Sequence, residues 1–128
     1  MRKLFLLMTL VAGTYVQAQT EEKKEAIKFE TTEIVRENIP YDSKDLFIFE
    51  FKNVSKSPVT VTNVQTSCGC TAAEKPEAPV EPGKKGKISV SYDTKRVGPF
   101  TKTITITNDQ GDPVVLTIRG SVEAQKIE

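Results

Sequence analysis

The stretch Phe47-Ile48-Phe49-Glu50-Phe51-Lys52-Asn53 decides the fold class. Phenylalanine recurs at every second position, which is the period of a strand with one face buried; on a helix the three rings would spread round the axis. The same period continues outward along the chain. Val59 and Val61 alternate with Thr60 and Thr62, and Ile88, Val90 and Tyr92 alternate with Ser89 and Ser91. Phe100, Ile104 and Ile106 share one face opposite Thr101, Thr103, Thr105 and Thr107, and Val114, Leu116 and Ile118 lie opposite Val115, Thr117 and Arg119. Shorter apolar pieces at 27–30 and 33–36 bring the expected total to about seven strands.

Turn chemistry separates these strands. The residues Asn108 to Pro113 form a hairpin connection, Asn53 to Pro58 a polar turn, and Pro82-Gly83 suits the centre of a type II turn, where glycine accepts positive φ. No segment carries a helical pattern. Short alternating strands on about 100 residues predict an all-β fold, an antiparallel immunoglobulin-like β-sandwich over 27–123, with 124–128 as a tail. The Cys-Trp-Cys core of antibody domains is absent, so the likeness is one of layering.

Composition bounds the chemistry. The chain has 128 residues, a formal net charge of +1, 38% hydrophobic and 27% charged residues, which suits one domain and gives no electrostatic reason to expect nucleic acid or an anionic membrane as partner. It has no His and no Trp. A Ser-His-Asp or Cys-His centre and a mixed Cys/His zinc site therefore cannot be built from this polypeptide alone, and no cofactor is expected.

The first residues read as an export signal. Arg2 and Lys3 precede an apolar run from Leu4 to Gly13, and Val16-Gln17-Ala18 has the small-x-Ala form that a signal peptidase cleaves, giving a signal peptide at 1–18. The run is about ten residues, against roughly 20 for a bilayer span, so no membrane span is expected and the mature chain is read as periplasmic or secreted. Residues 19–26 are a charged spacer.

Cys68-Gly69-Cys70 is the constellation that could carry chemistry. Two cysteines in an exported chain are first read as a disulfide; closing one across a separation of two needs a tight bend, which Gly69 is expected to allow. Such a small ring removes little entropy from the unfolded chain. Four readings stand open: a local disulfide that shapes the loop, a redox pair exchanging with partner thiols, a soft-metal site holding Cu(I) between two thiolates, and pairing between molecules. Lys75 is a nearby cation able to favour a thiolate, and Ser67 and Thr71 are placed to hydrogen-bond to the loop backbone. Other candidates are weaker. The pairs Glu30 with Glu33 and Glu74 with Glu77 have nothing to place them in a cleft, Lys84, Lys85 and Lys87 suit a turn and a strand edge, and Asn53-Val54-Ser55 matches the short glycosylation triplet.

Taken together, Phe49-Glu50-Phe51-Lys52-Asn53, Pro58-Val59-Thr60-Val61, Thr66-Ser67-Cys68-Gly69-Cys70-Thr71, Pro82-Gly83, Gly98-Pro99-Phe100 and the closing Leu116 to Val122 resemble an exported bacterial family, domain of unknown function 1573. The resemblance spans about residues 33–123. It implies a single Ig-like sandwich from bacteria of the Bacteroidota type, brings no established enzymatic activity with it, and marks Cys68, Cys70 and the Pro82-Gly83 turn as motif positions; Gly69, Thr71, Pro82 and Gly83 are read as shaping the loops. The expectation is a non-catalytic module, not an enzyme, that binds another cell-envelope protein. Edge strands of an open sandwich accept an added strand, and the Cys68 to Thr71 loop with the Pro-rich loop after it is the expected contact surface. The alternative is a thiol-disulfide redox or Cu(I)-binding protein that uses Cys68 and Cys70.

Overall fold

The computed structural model describes Gly13 and residues 25–125. Apart from Gly13, the expected signal peptide lies outside the described residues, as do most of the charged spacer and the last three residues of the tail.

Among the described residues eight strands form two four-stranded sheets. They are β1 (Ile27–Phe29), β2 (Glu33–Ile39), β3 (Phe47–Asn53), β4 (Val61–Thr66), β5 (Thr71–Glu74), β6 (Lys85–Tyr92), β7 (Gly98–Asn108) and β8 (Val114–Val122). One sheet has the order β1-β3-β6-β5 and the other β2-β8-β7-β4. The all-β sandwich is as the alternation predicts. Phe47, Phe49 and Phe51 face Ile104, Ile106, Leu116 and Ile118 across the layer, with Ile27, Ile88 and Val90 completing a core of buried side chains.

Three details differ from a simple alternating reading. The additional strand, β5, reads Thr-Ala-Ala-Glu and carries no alternation; it forms because Thr71 to Glu74 pair with Tyr92 to Ser89 at the edge of the first sheet. Not every neighbour is antiparallel: β2 runs parallel to β8, with Glu33 opposite Thr117 and Val35 opposite Arg119. Bulges interrupt the period of two. Between Val61 and Asn63 the register of β4 shifts, which lets Val61 and Val64 both face the core although they are three apart. In β2 the shift lies between Arg36 and Ile39, where Asn38 takes a φ of 57° and Ile39 returns to the interior.

Glycine is demanded where β2 meets β8. A Cβ on Gly120 would run into the carbonyl oxygen of Arg36, so a side chain there would push the parallel pair apart. Lys85 and Lys87, expected near an edge, stand on β6, a central strand.

Candidate functional site

Each sheet ends in two edge strands, and the sandwich therefore has two sides. On one side β4 meets β5; the other side carries the edge strands β1 and β2.

The cysteine pair sits on the first side, where the chain leaves the edge of one sheet and enters the edge of the other between Thr66 and Thr71. Cys68 and Cys70 are disulfide-bonded, with Cα atoms 5.4 Å apart, inside the range that a disulfide accepts. Backbone bonds fix this corner independently of the sulfurs. Ser67 N donates to Thr103 O at 3.0 Å, Thr103 N donates to Ser67 Oγ at 3.1 Å, and Asp93 N donates to Cys70 O at 2.9 Å. Within the turn Thr71 N donates to Cys68 O at 3.4 Å, and Thr66 Oγ1 donates to the same carbonyl at 3.0 Å. The two sulfurs differ in surroundings. Cys68 is half-buried, whereas Cys70 is 9% exposed and lies beside the buried Thr71. Cys70 N donates to Cys68 Sγ at 3.2 Å, and Thr71 Oγ1 lies 3.8 Å from Cys68 Sγ and 3.7 Å from Cys70 Sγ.

Gly69 is exposed, its φ lies outside the left-handed region, and an added Cβ there would meet nothing within 4 Å. The bend thus does not use the backbone freedom for which a glycine was expected. Lys75 is turned to the neighbouring strand, its Nζ donating to Val61 O at 3.3 Å and Thr62 O at 3.4 Å.

The Pro82-Gly83 turn is far from this corner. Gly83 has a φ of 78° and Lys84 N donates to Glu81 O at 3.0 Å, the geometry of a type II turn. It precedes β6, whereas Cys70 is bonded to Asp93 just after β6, so about 25 Å of strand separates the two motifs. The two loops expected to share one contact surface stand at opposite ends of the sandwich. The turn instead serves Asn53: Gly83 N donates to Asn53 O and Asn53 N donates to Lys84 O, both at 2.9 Å. Asn53 is itself 1% exposed, and its side chain uses its full capacity. Nδ2 donates to Ser57 O and Val80 O at 2.8 Å, while Oδ1 accepts from Ser55 N at 2.8 Å and Ser55 Oγ at 2.7 Å. An amide so held cannot be glycosylated in the folded chain. The Glu30 and Glu33 pair dissolves likewise, since Glu30 takes Lys85 at 3.4 Å and Glu33 takes Arg119 at 3.5 Å.

Sequence reasoning missed a cleft on the opposite side of the sandwich. It has a volume of about 600 Å³ and runs between β1 and the beginning of β8, with Ile27, Phe29, Pro113, Val114 and Val115 along its walls and Glu25 and Lys28 among its polar groups. Pairing with β2 begins only at Thr117, so among the described residues no strand covers that flank of β8 from Val114 to Leu116. Thr117 N donates outward to Thr32 O at 2.8 Å. Because successive backbone groups alternate in direction along a strand, the N–H and C=O of Val115 also point outward, into the opening. The Val115 side chain is 53% exposed. The run Val114-Val115-Leu116, apolar on both faces, was the available signal.

The family model for proteins of unknown function designated DUF1573 matches residues 27–122, nearly the whole described domain. The chain belongs to the DUF1573 family. No curated protein matches it. Among solved structures, a protein of unknown function from Porphyromonas gingivalis W83 is similar with a TM-score of 0.64 at 15% identity, over 84% of this chain and 51% of that one. The chain thus spans about half the length of that protein. The human CEP192 ASH/PapD-like domain 7 gives a TM-score of 0.63 at 8% identity over 91% of this chain and 99% of that one, and the YadV chaperone gives 0.60 at 12% over 81% and 55%. At these identities the likeness is one of fold: this DUF1573 domain is a two-sheet β-sandwich that shares its fold with these domains. Among its described residues no helix is long and apolar enough to cross a membrane.

Proposed function

We propose that this DUF1573 domain is a non-catalytic, exported module that binds an extended segment of another cell-envelope protein by strand addition along β8. One observation carries the proposal: β2 stops short of Val114 to Leu116 beside an apolar-walled cleft, so that among the described residues no strand pairs with the outward-facing Val115 backbone groups. Such groups supply affinity through main-chain hydrogen bonds, and the cleft walls select side chains at alternate positions of the incoming strand. The incoming segment lies in line with β2, and its inward side chains rest on Ile27, Phe29 and Val114. Similarity of fold to the YadV chaperone and the periplasmic chaperone SfaE supports a binding role and says nothing of the partner.

The test is the variant Val115→Pro. Proline removes the outward N–H without touching the β7 ladder, because the Val115 groups face away from β7. Mature wild-type protein immobilised in envelope extract should retain a specific partner that Val115→Pro releases while its thermal unfolding stays cooperative. Equal retention by a folded Val115→Pro variant would sink the β8 assignment.

A further inference from the structure

We infer that the Cys68–Cys70 bond is a thiol-disulfide exchange site in which Cys68 is the sulfur attacked by a dithiol that approaches from solvent. The site lies on the β4/β5 side, opposite the β8 cleft, so this inference is independent of strand binding.

Access sets the direction of attack. Cys68 is half-buried and its neighbour Gly69 is exposed with open space around it, so a thiolate can approach Cys68 Sγ from solvent. Cys70 lies deeper, beside Thr71. Attack on Cys68 forms a bond between the incoming sulfur and Cys68 Sγ and breaks the Cys68–Cys70 bond, the electron pair leaving on Cys70 Sγ. A thiolate only accepts hydrogen bonds, so Thr71 Oγ1, at 3.7 Å, becomes a donor to the leaving sulfur. In the second step the substrate's other thiolate attacks its own sulfur in the mixed disulfide. That step expels Cys68 Sγ as a thiolate, and the Cys70 N–H already points at it from 3.2 Å. The substrate dithiol is oxidised by two electrons to a disulfide, Cys68 and Cys70 are reduced, and the two protons lost from the substrate end on the two cysteine thiols through water. A hydrogen-bond donor is thus in place at each leaving sulfur.

The corner survives the opening of the bond. Its backbone is held by Ser67, Thr103 and Asp93 without help from the sulfurs, and a bridge between residues two apart contributes little loop-closure entropy. A structural disulfide is protected in the native state; this one is presented by it.

Reduction of the full mature chain by dithiothreitol, followed by acid quenching and alkylation, measures the effect directly. In the folded chain the bond should be reduced about tenfold faster than in the same chain unfolded in urea, the factor that one hydrogen bond to a charged group supplies, with the urea effect corrected on a small linear disulfide. With glutathione as a monothiol probe, peptide mapping should find the mixed disulfide on Cys68. Thr71→Val should lose most of the rate advantage and keep the adduct on Cys68. Slower reduction in the folded chain than in the unfolded one, adducts chiefly on Cys70, or an unchanged rate in a folded Thr71→Val variant would each overturn the inference. Binding of an envelope partner at β8 moves none of these readouts.

Discussion

Replacing Asn53 by alanine should cost this domain about 2–3 kcal/mol, although Asn53 touches neither the cleft nor the disulfide. Four side-chain hydrogen bonds disappear, two donated by Nδ2 to Ser57 O and Val80 O and two accepted by Oδ1 from Ser55. At about 1 kcal/mol net each they would sum to about 4 kcal/mol, but not every partner is stranded. Val80 O keeps the bond from Val59 N at 2.9 Å, and Ser57 O keeps the one from Ser55 Oγ at 2.8 Å. The remaining loss is concentrated where β3 hands over to the Pro82-Gly83 turn, and for a domain of about 100 residues it corresponds to a fall in Tm of about 10–20 °C. Asn53→Asp sharpens the test. Its carboxylate can still accept from Ser55, yet it sets a charged oxygen against the carbonyls of Ser57 and Val80, so it should be at least as damaging at neutral pH. Thermal and urea unfolding of both variants measure this. A cost below about 0.5 kcal/mol for Asn53→Ala, the range of an ordinary surface change, would refute the reasoning.

Other outcomes follow from the same structure. Gly120→Ala, whose methyl meets the Arg36 carbonyl, should destabilise by about 1–3 kcal/mol in urea unfolding, whereas Gly69→Ala should be silent within about 0.5 kcal/mol. The double variant Cys68→Ser/Cys70→Ser should stay folded and lose about 1.5 kcal/mol, the loop-closure estimate for a ring of three residues, as read by Tm. Tyr92, stacked on Phe100 at a centroid distance of 4.0 Å, has its hydroxyl pKa raised above 10.0, first by burial and further by Asp93, with Arg96 opposing. A raised folded-state value means that the native chain holds the proton more tightly, so this contribution is full below the unfolded value near 10 and is lost as pH climbs through the folded one. Urea midpoints should fall from about pH 10 upward, and Tyr92→Phe should flatten that slope.

The strands that were legible in the sequence are those whose burial obeys a strict period of two, above all Phe47 to Asn53 and Phe100 to Ile106. Where the period fails, a long-range contact replaced the local signal. Val64 faces inward only because β7 imposes a bulge on β4, and Thr71 to Glu74 is extended only because β6 offers it a ladder. The type II turn at Pro82-Gly83 was readable because proline and glycine fix it locally, but its bonds to Asn53 join residues about thirty positions apart. The cysteine pair was visible by spacing. That Cys68 faces outward and Cys70 inward depends on the passage between two sheets, which no neighbouring residue announces. The cleft was hidden for the same reason: it exists because the parallel register of β2 on β8 starts at Thr117 rather than at Val114.

That register makes the decisive measurement a local one. A photoreactive amino acid placed at position 115 in the full chain, activated in living cells, should yield a discrete adduct with an envelope protein, cross-linked through an extended segment. The same probe at Ile48, exposed on the outer face of β3, should yield none. A 115 adduct that also disappears when an introduced strand occupies the outward backbone groups of Val115 would fit addition along β8. Adducts at 48 but not at 115 would contradict it.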